Sequence, residues 1–308
     1  MIRIGTRDSQ LAVWQATLVQ DSLKKIGVES ELVFIKSEGD IDLITPLYAL
    51  GVQGVFTRTL DAALLSGKID LAVHSMKDVP TQLAQGIEQA AVLPRASWHD
   101  VFVPKGDTDF LHDVDSVAAI ATSSVRRKAQ WLRRYPNHVI ENIRGNVNTR
   151  LRKVQENNWK GAVFAAAGLE RIELLPGDAV NLDWMLPAPA QGAIVVVCRQ
   201  DDNRVMDTCK PLHDALTGVC VKIERDFLQR LMGGCTAPIS ALAIYEEGNI
   251  HFRGHVLSLD GKLIFEAEEK FALEFALGKG FEIAQHLVNK GAGELIRQIR
   301  EVLQSDNG

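Results

Sequence analysis

Three times in this chain of 308 residues a short apolar strand runs into a turn of hydroxyls, arginine or asparagine and then into a helix, and this repeat restricts the fold more than any other feature. The first strand, Ile2 to Gly5, is followed by Thr6, Arg7, Asp8 and Ser9, then by a helix whose Leu11, Trp14, Leu18 and Leu23 keep helical spacing up to Gly27. Ser9 is its expected N-cap. The second strand, Ala118 to Ala121, meets Thr122, Ser123 and Ser124 before a helix carrying Arg126, Arg127, Arg133 and Arg134. The third, Val139 to Ile143, turns through Arg144, Gly145 and Asn146 into a helix from Val147 with Arg150 and Arg152. Apolar strands alternating with helices imply α/β sheets covered on both faces. Free N–H groups and the positive dipole end at each helix start make these turns anion sites, and arginine outnumbers lysine there as bidentate capture of carboxylate or phosphate requires. Ordinary capping beside solvated arginines is the plainer reading, and it suits Arg133, Arg134 and Arg152 further along their helices.

Between the first two repeats lie a strand, Glu31 to Lys36, then a long aperiodic stretch, Ser37 to Val55, expected to act as a lid. A helix from Phe56 to Leu65 and a buried strand from Ile69 to His74 complete a β-α-β unit, with His74 expected in the core. Ser75, Met76, Lys77, Asp78, Val79 and Pro80 follow at the strand's carboxyl end, where open α/β sheets bind ligands. Asp78 is either a carboxylate that stabilises positive charge and moves a proton, or a cap on the turn before Pro80. A polar stretch from Pro94 marks a domain crossing into the strand Val101 to Val103. The strand Trp159 to Ala167 leads to a short helix, Gly168 to Ile172, with Arg171. The braced connection Leu186 to Gly192, containing Gln191, returns the chain to the first lobe through Ala193 to Cys198. The expected domains are 1–93 with 193–213, 94–192, and 214–308: two α/β lobes around a cleft and a C-terminal domain. That last domain holds a helix from Val219 to Met232, three antiparallel strands (Ile239 to Ile244, Ile250 to Leu257, Lys262 to Phe271) joined at Gly248-Asn249 and Asp260-Gly261, and a helix from Phe281 to Leu303 interrupted near Gly291.

A net charge of −5 disfavours nucleic acid and anionic membrane as partners, no apolar run is long enough to span a bilayer, and the four cysteines lack the close pairs of zinc or redox sites. A soluble cytoplasmic protein with no metal is expected. Cys235 stands apart, because Gly233 and Gly234 leave its thiol unshielded and Pro238 limits the path out of the turn. It is a nucleophile or attachment point on one reading and a buried C-cap neighbour on the other.

HSMKDVP (74–80), TSSVRR (122–127), RGNVNTRL (144–151), PAPAQGA (187–193) and GGCTAPI (233–239), with RIGTRDSQLAVWQA near the start, resemble porphobilinogen deaminase, also called hydroxymethylbilane synthase, in family order. The resemblance implies two lobes like those of periplasmic binding proteins and a third α/β domain. It implies a cytoplasmic transferase of porphyrin and haem biosynthesis that joins four porphobilinogens head to tail, releases ammonia and yields 1-hydroxymethylbilane, passed on to uroporphyrinogen-III synthase. It further implies a monomer, and a dipyrromethane cofactor tied by a thioether to Cys235. Asp78 matches the family's catalytic aspartate, contacting pyrrole N–H groups and assisting ammonia loss. Asp40, Ser75, Lys77, Thr122, Ser124, Arg126, Arg127 and Arg150 match cofactor contacts. Arg7, Ser9, Phe56, Arg144, Arg150, Arg171 and Gln191 match substrate contacts. Gln53 stands where the family commonly has a lysine, Met232 replaces a common glutamate, and Asn148 a common glycine. The alternative is a two-lobed binding protein for anionic solutes without catalysis, which predicts no reactive thiol.

Overall fold

The computed structural model describes residues 1–36, 57–231 and 237–305, so the expected lid together with Asp40, Gln53, Phe56 and Cys235 lies outside the described residues. Among the described residues the chain forms two compact units, one from 1–36, 57–97 and 191–219, the other from 98–190, 220–231 and 237–305.

The chain begins with β1 (Ile2–Thr6), α1 (Gln10–Lys25), β2 (Ser30–Phe34), α2 (Arg58–Leu65), β3 (Leu71–Ser75) and β4 (Ile87–Val92). β1 lies parallel between β2 and β3. α1 covers one face by packing Ala16, Val19 and Leu23 against Ile2, Ile4, Leu71 and Val73. Each large apolar side chain buried there contributes about 1.5–3 kcal/mol. The buried stripe of α1 is shifted from the expected one: Leu23 is buried and Leu18 packs against the core, but Gln15, Ala16 and Val19 face the sheet and Trp14 is 37% exposed. Both stripes have helical period, and the sheet selects one of them.

The second unit takes β5 (Asp100–Pro104), β6 (Ala119–Ala121), α3 (Val125–Arg134), β7 (Val139–Glu141), α4 (Val147–Glu156), β8 (Gly161–Ala165), α5 (Ala166–Glu170) and β9 (Val180–Asn181). The chain then returns to the first unit with β10 (Ile194–Arg199), which runs antiparallel between β3 and β4, and α6 (Asn203–Cys209). The two sheets share one plan: β2-β1-β3-β10-β4 in the first, β7-β6-β8-β5-β9 in the second, each with three parallel strands and then an antiparallel one. That plan gathers the carboxyl ends of the parallel strands at one edge of each sheet, where strand-to-helix turns bind ligands.

α7 (Ala215–Arg230) leads to a three-stranded antiparallel sheet, β11 (Ile239–Glu246), β12 (Asn249–Leu257) and β13 (Ile264–Ala272), followed by α8 (Lys279–Leu287) and α9 (Gly293–Ser305). The first hairpin turns at Glu247-Gly248, not at Gly248-Asn249. Both turn residues have positive φ, 49° and 84°, as a tight turn matched to strand twist requires. Gly291, with φ 113°, interrupts the C-terminal helix where expected. Within the second unit Gln130 of α3 ties this sheet to the larger one, its Nε2 donating to Ser240 Oγ at 3.1 Å and to the carbonyl of Leu186 at 2.9 Å. Cys198 and His74 are core residues, at 0% and 7% exposure. No helix among the described residues is long and apolar enough to cross a membrane.

Candidate active site

In the first unit the parallel neighbours β1 and β3 end together, so Arg7 and Ser9 after β1 share an edge with Ser75, Lys77 and Asp78 after β3. β10 starts at this edge, with Ser75 opposite Ile194, and Met76 N–H donates to the carbonyl of Ala193 at 3.0 Å. That register brings in Gln191, fully buried, whose Oε1 accepts from Lys77 Nζ at 3.3 Å and whose carbonyl accepts from Arg95 Nε at 2.9 Å. Arg7 and Ser9 are half-buried. Ser9 occupies the N-cap position of α1 with extended backbone, but its hydroxyl makes no capping bond, so position alone did not determine its use.

Asp78 ends a single 3₁₀ turn, Met76–Asp78, and is exposed. The turn is closed by the backbone bond from Val79 N–H to the carbonyl of Met76 at 3.2 Å. Among the described residues the Asp78 carboxylate accepts no hydrogen bond, which weakens its reading as a turn cap. Gln15 Nε2 donates to Ser75 Oγ at 2.8 Å. Beneath these groups His74 is buried, and its ring is held neutral: burial, reinforced by the nearby charge of Arg7, pushes its pKa down to about 4.

In the second unit β7, β6 and β8 are parallel neighbours, which collects Thr122 to Arg127, Arg144 to Arg150, and Arg171 at one sheet edge. Ser124 Oγ caps α3 by accepting from Arg127 N–H at 3.4 Å, and Asn146 Oδ1 caps α4 by accepting from Thr149 N–H at 2.9 Å. Thr122 is buried, its Oγ1 accepting from Ser124 N–H at 3.3 Å. Arg144 is buried, while the half-buried Arg150 places its guanidinium over the Phe164 ring, 5.5 Å from the centroid. Burial lowers the Arg171 pKa to about 10, opposed by the neighbouring Glu170 carboxylate.

Arg126 and Arg127 share one buried carboxylate. Asp100, at the start of β5 and 0% exposed, accepts from Arg127 Nε at 3.0 Å and Nη2 at 2.7 Å, and pairs with Arg126 Nη2 at 2.8 Å. Arg127 Nη1 donates to the carbonyl of Val163 at 3.0 Å and Arg126 Nη1 to that of Leu186 at 2.8 Å. Burial lowers the pKa of Arg126, with Asp100 opposing the shift and Arg127 adding to it. Sequence reasoning passed over Asp100. A carboxylate directly ahead of the apolar run Val101 to Val103 was the available signal. It also missed Gln15, and gave Ser123 only as a turn hydroxyl, whereas that hydroxyl ties the ends of β6 and β7 through Asn142 and Ile143.

The first edge offers an exposed carboxylate beside a lysine, an arginine and hydroxyls. The second offers guanidinium groups at helix starts. Each edge by itself suits the holding of carboxylate-bearing ligands by cations, and the first adds a carboxylate that can handle protons or developing positive charge.

Residues 2–207 match the family profile described as porphobilinogen deaminase, dipyrromethane cofactor binding domain, and residues 219–289 match its C-terminal domain. A protein from Acidithiobacillus ferrooxidans named porphobilinogen deaminase is 41% identical over 305 residues, covering 97% of this chain and 98% of its own. One of the same name from Syntrophotalea carbinolica is 41% identical over 299 residues, covering 96% and 95%. Among solved structures, a nutrient-binding protein from Burkholderia cenocepacia bound to methionine aligns with 68% of this chain and 90% of its own, at 17% identity and a TM-score of 0.42. With both family domains matched in order along the chain and near-full-length relatives at 41% identity, this chain belongs to the porphobilinogen deaminase family.

Proposed function

We propose that the chain is a porphobilinogen deaminase, or hydroxymethylbilane synthase: a transferase of tetrapyrrole and haem biosynthesis that joins four porphobilinogens head to tail with loss of ammonia. The observation that carries this reading is the convergence of Arg7, Ser9, Ser75, Lys77, Asp78 and Gln191 on one sheet edge, in a chain whose residues 2–207 match the family's cofactor-binding domain. The residues present fit a dipyrromethane group. Its rim is carboxylates, and the second unit supplies Arg144 and Arg150 at the capped start of α4 and Arg171 at the C-terminal end of α5, with Thr122 and Ser124 as further polar contacts. When bound, through a thioether to Cys235, that group supplies the primer on which the chain of rings grows.

The residues of the protein then have separate tasks. Asp78, exposed and accepting no hydrogen bond among the described residues, holds pyrrole N–H groups and stabilises the positive charge that develops as ammonia leaves. Arg7 holds a carboxylate of the incoming ring and Ser9 adds a hydroxyl contact, while Lys77, oriented by Gln191, and Ser75 contact the cofactor rings. Arg126 and Arg127 have Asp100 as an existing carboxylate partner, so their part in cofactor binding is to supplement that pair with the charge left over from two guanidiniums against one carboxylate. Asp40 and Phe56 complete the assigned contacts.

The three-domain division 1–93 with 193–213, 94–192 and 214–308 belongs to the same reading and is supported by three separate sheets. A cytoplasmic monomer that passes its product to uroporphyrinogen-III synthase is the setting that fits.

The test is to incubate the purified protein with porphobilinogen and follow ammonia and 1-hydroxymethylbilane, with wild type and Cys235→Ser weighed intact. Wild type is expected to be heavier than its sequence by two porphobilinogens less two ammonias, and Cys235→Ser to lack that mass. Asp78→Asn is expected to fold and to turn over about 10²- to 10⁴-fold more slowly. Near-normal turnover with a lower melting temperature would return Asp78 to a turn-capping role.

A further inference from the structure

Gln15 lies on the buried face of α1 at 3% exposure, where Ala16, Val19 and Leu23 form the apolar contact with the sheet. A primary amide in such a position has a cost unless its polar atoms are satisfied, and an apolar side chain of equal length would pack there without that cost. What the glutamine provides is the 2.8 Å bond from its Nε2 to Ser75 Oγ.

The direction of that bond has a chemical consequence. A hydroxyl has one O–H to donate and two lone pairs to accept with, and an amide NH2 only donates. With Gln15 donating, the Ser75 O–H cannot point back into the core and must be given to another acceptor. Ser75 is the last residue of β3 and precedes the turn bearing Lys77 and Asp78. Its hydroxyl does not cap that turn, and among the described residues no acceptor for its O–H is found. The hydroxyl is half-buried at the edge where the candidate site lies.

We infer that Gln15 is a positioning residue, which holds the Ser75 hydroxyl as an outward-directed hydrogen-bond donor for a pyrrole carboxylate, so that Ser75, matched above to a cofactor contact, also serves the incoming substrate. This rests on the deaminase reading given above. A pre-oriented donor spares the substrate the task of reorienting a rotor on binding, so the effect falls on substrate affinity more than on the chemical step. Lys77 and Arg7 at the same edge supply charge, and the hydroxyl supplies direction.

The experiment is a double-mutant cycle on the holoenzyme, with kcat, KM for porphobilinogen and melting temperature measured for each variant. Gln15→Glu keeps the shape and reverses the polarity, drawing the Ser75 O–H inward. Gln15→Met keeps the length and frees the rotor. Gln15→Glu is expected to raise KM about tenfold and Gln15→Met a few-fold, with smaller changes in kcat. In a Ser75→Ala background neither substitution should raise KM further, because the hydroxyl through which Gln15 acts is gone. A near-normal KM for Gln15→Glu would mean that the amide accepts from Ser75 instead, and would overturn the inference. Equal losses with and without Ser75 would also overturn it, leaving Gln15 a packing residue. Should Gln15→Glu fail to fold, Gln15→Met carries the same cycle. The side-chain NH2 of Gln15, followed by ¹⁵N NMR, should be protected from solvent exchange in wild type and lose protection in Ser75→Ala; absence of that difference refutes the hydrogen bond without reference to turnover. A wild type that consumes no porphobilinogen overturns the deaminase reading, and with it the acceptor named here, whatever the amide signal shows.

Discussion

Replacing Asp100 with asparagine removes one negative charge from a place where two guanidiniums depend on it. The carboxylate is 0% exposed, and the Arg126 and Arg127 side chains are 6% and 8% exposed, so water cannot substitute for the lost charge. In Asp100→Asn the side-chain oxygen can still accept from Arg127. The amide that replaces the other oxygen meets Arg126 Nη2, at 2.8 Å in the wild type, with donor facing donor. Two like charges are then left side by side in the interior. Removing one partner from a buried ion pair costs about 3–5 kcal/mol, because the remaining charge keeps its desolvation penalty and loses its compensation. We expect a loss in that range, read as a lower urea midpoint at constant slope, with fluorescence of the fully buried Trp131 reporting the second unit. The loss should change little between low salt and high salt, since the pair is shielded from mobile ions. Arg127→Leu should likewise lose stability as well as any ligand contact, because its guanidinium also holds the carbonyl of Val163. A loss below about 1 kcal/mol for Asp100→Asn would refute the reasoning, by showing that the arginines are held by something other than Asp100.

Acid is expected to destabilise the fold through two histidines. Burial, aided by Arg7, sets His74 at about 4, and burial, aided by Arg126 and Arg133, sets His255 at about 3. Both values lie below the ordinary 6.5, so the fold favours the neutral rings and their contribution is present above pH 6.5. It is lost as pH falls from 6.5 toward the folded values while the unfolded chain takes up protons, to the extent of about 3 kcal/mol for His74. Unfolding midpoints between pH 7 and 4.5 check this, with His74→Gln expected to flatten the slope; a flat wild-type profile would count against it. Gly192→Ala is expected to cost at least about 2 kcal/mol, since φ there is +86° and a Cβ would lie 2.6 Å from the carbonyl oxygen of Ser97 and 2.7 Å from that of Ala96. Unchanged thermal stability of that variant would mean that the segment relaxes freely.

Much of the fold was legible because its signals are local. Continuous apolar runs marked β1, β3 and β10, turn residues marked the three-stranded sheet, and arginines with hydroxyls after strands marked the polar edge of each larger sheet. β4 escaped notice because Glu88 and Gln89 break its apolar run, although Ala91 and Val92 are buried once β10 lies beside it. α6 is short and likewise carried too little period to be read.

The sequence by itself determined which residue types stand at the ends of which strands, since strand, turn and cap preferences act over a few neighbours. Only the tertiary structure decided how they are used. It turned α1 so that Gln15, not Trp14, faces the sheet and meets Ser75. It set Asp100 against arginines 26 and 27 positions further along, and left Asp78 exposed while Gln191 was buried against Lys77. These pairings join residues distant in sequence through the strand order and register of each sheet, and a carboxylate or an amide carries no mark of the partner that folding will place beside it.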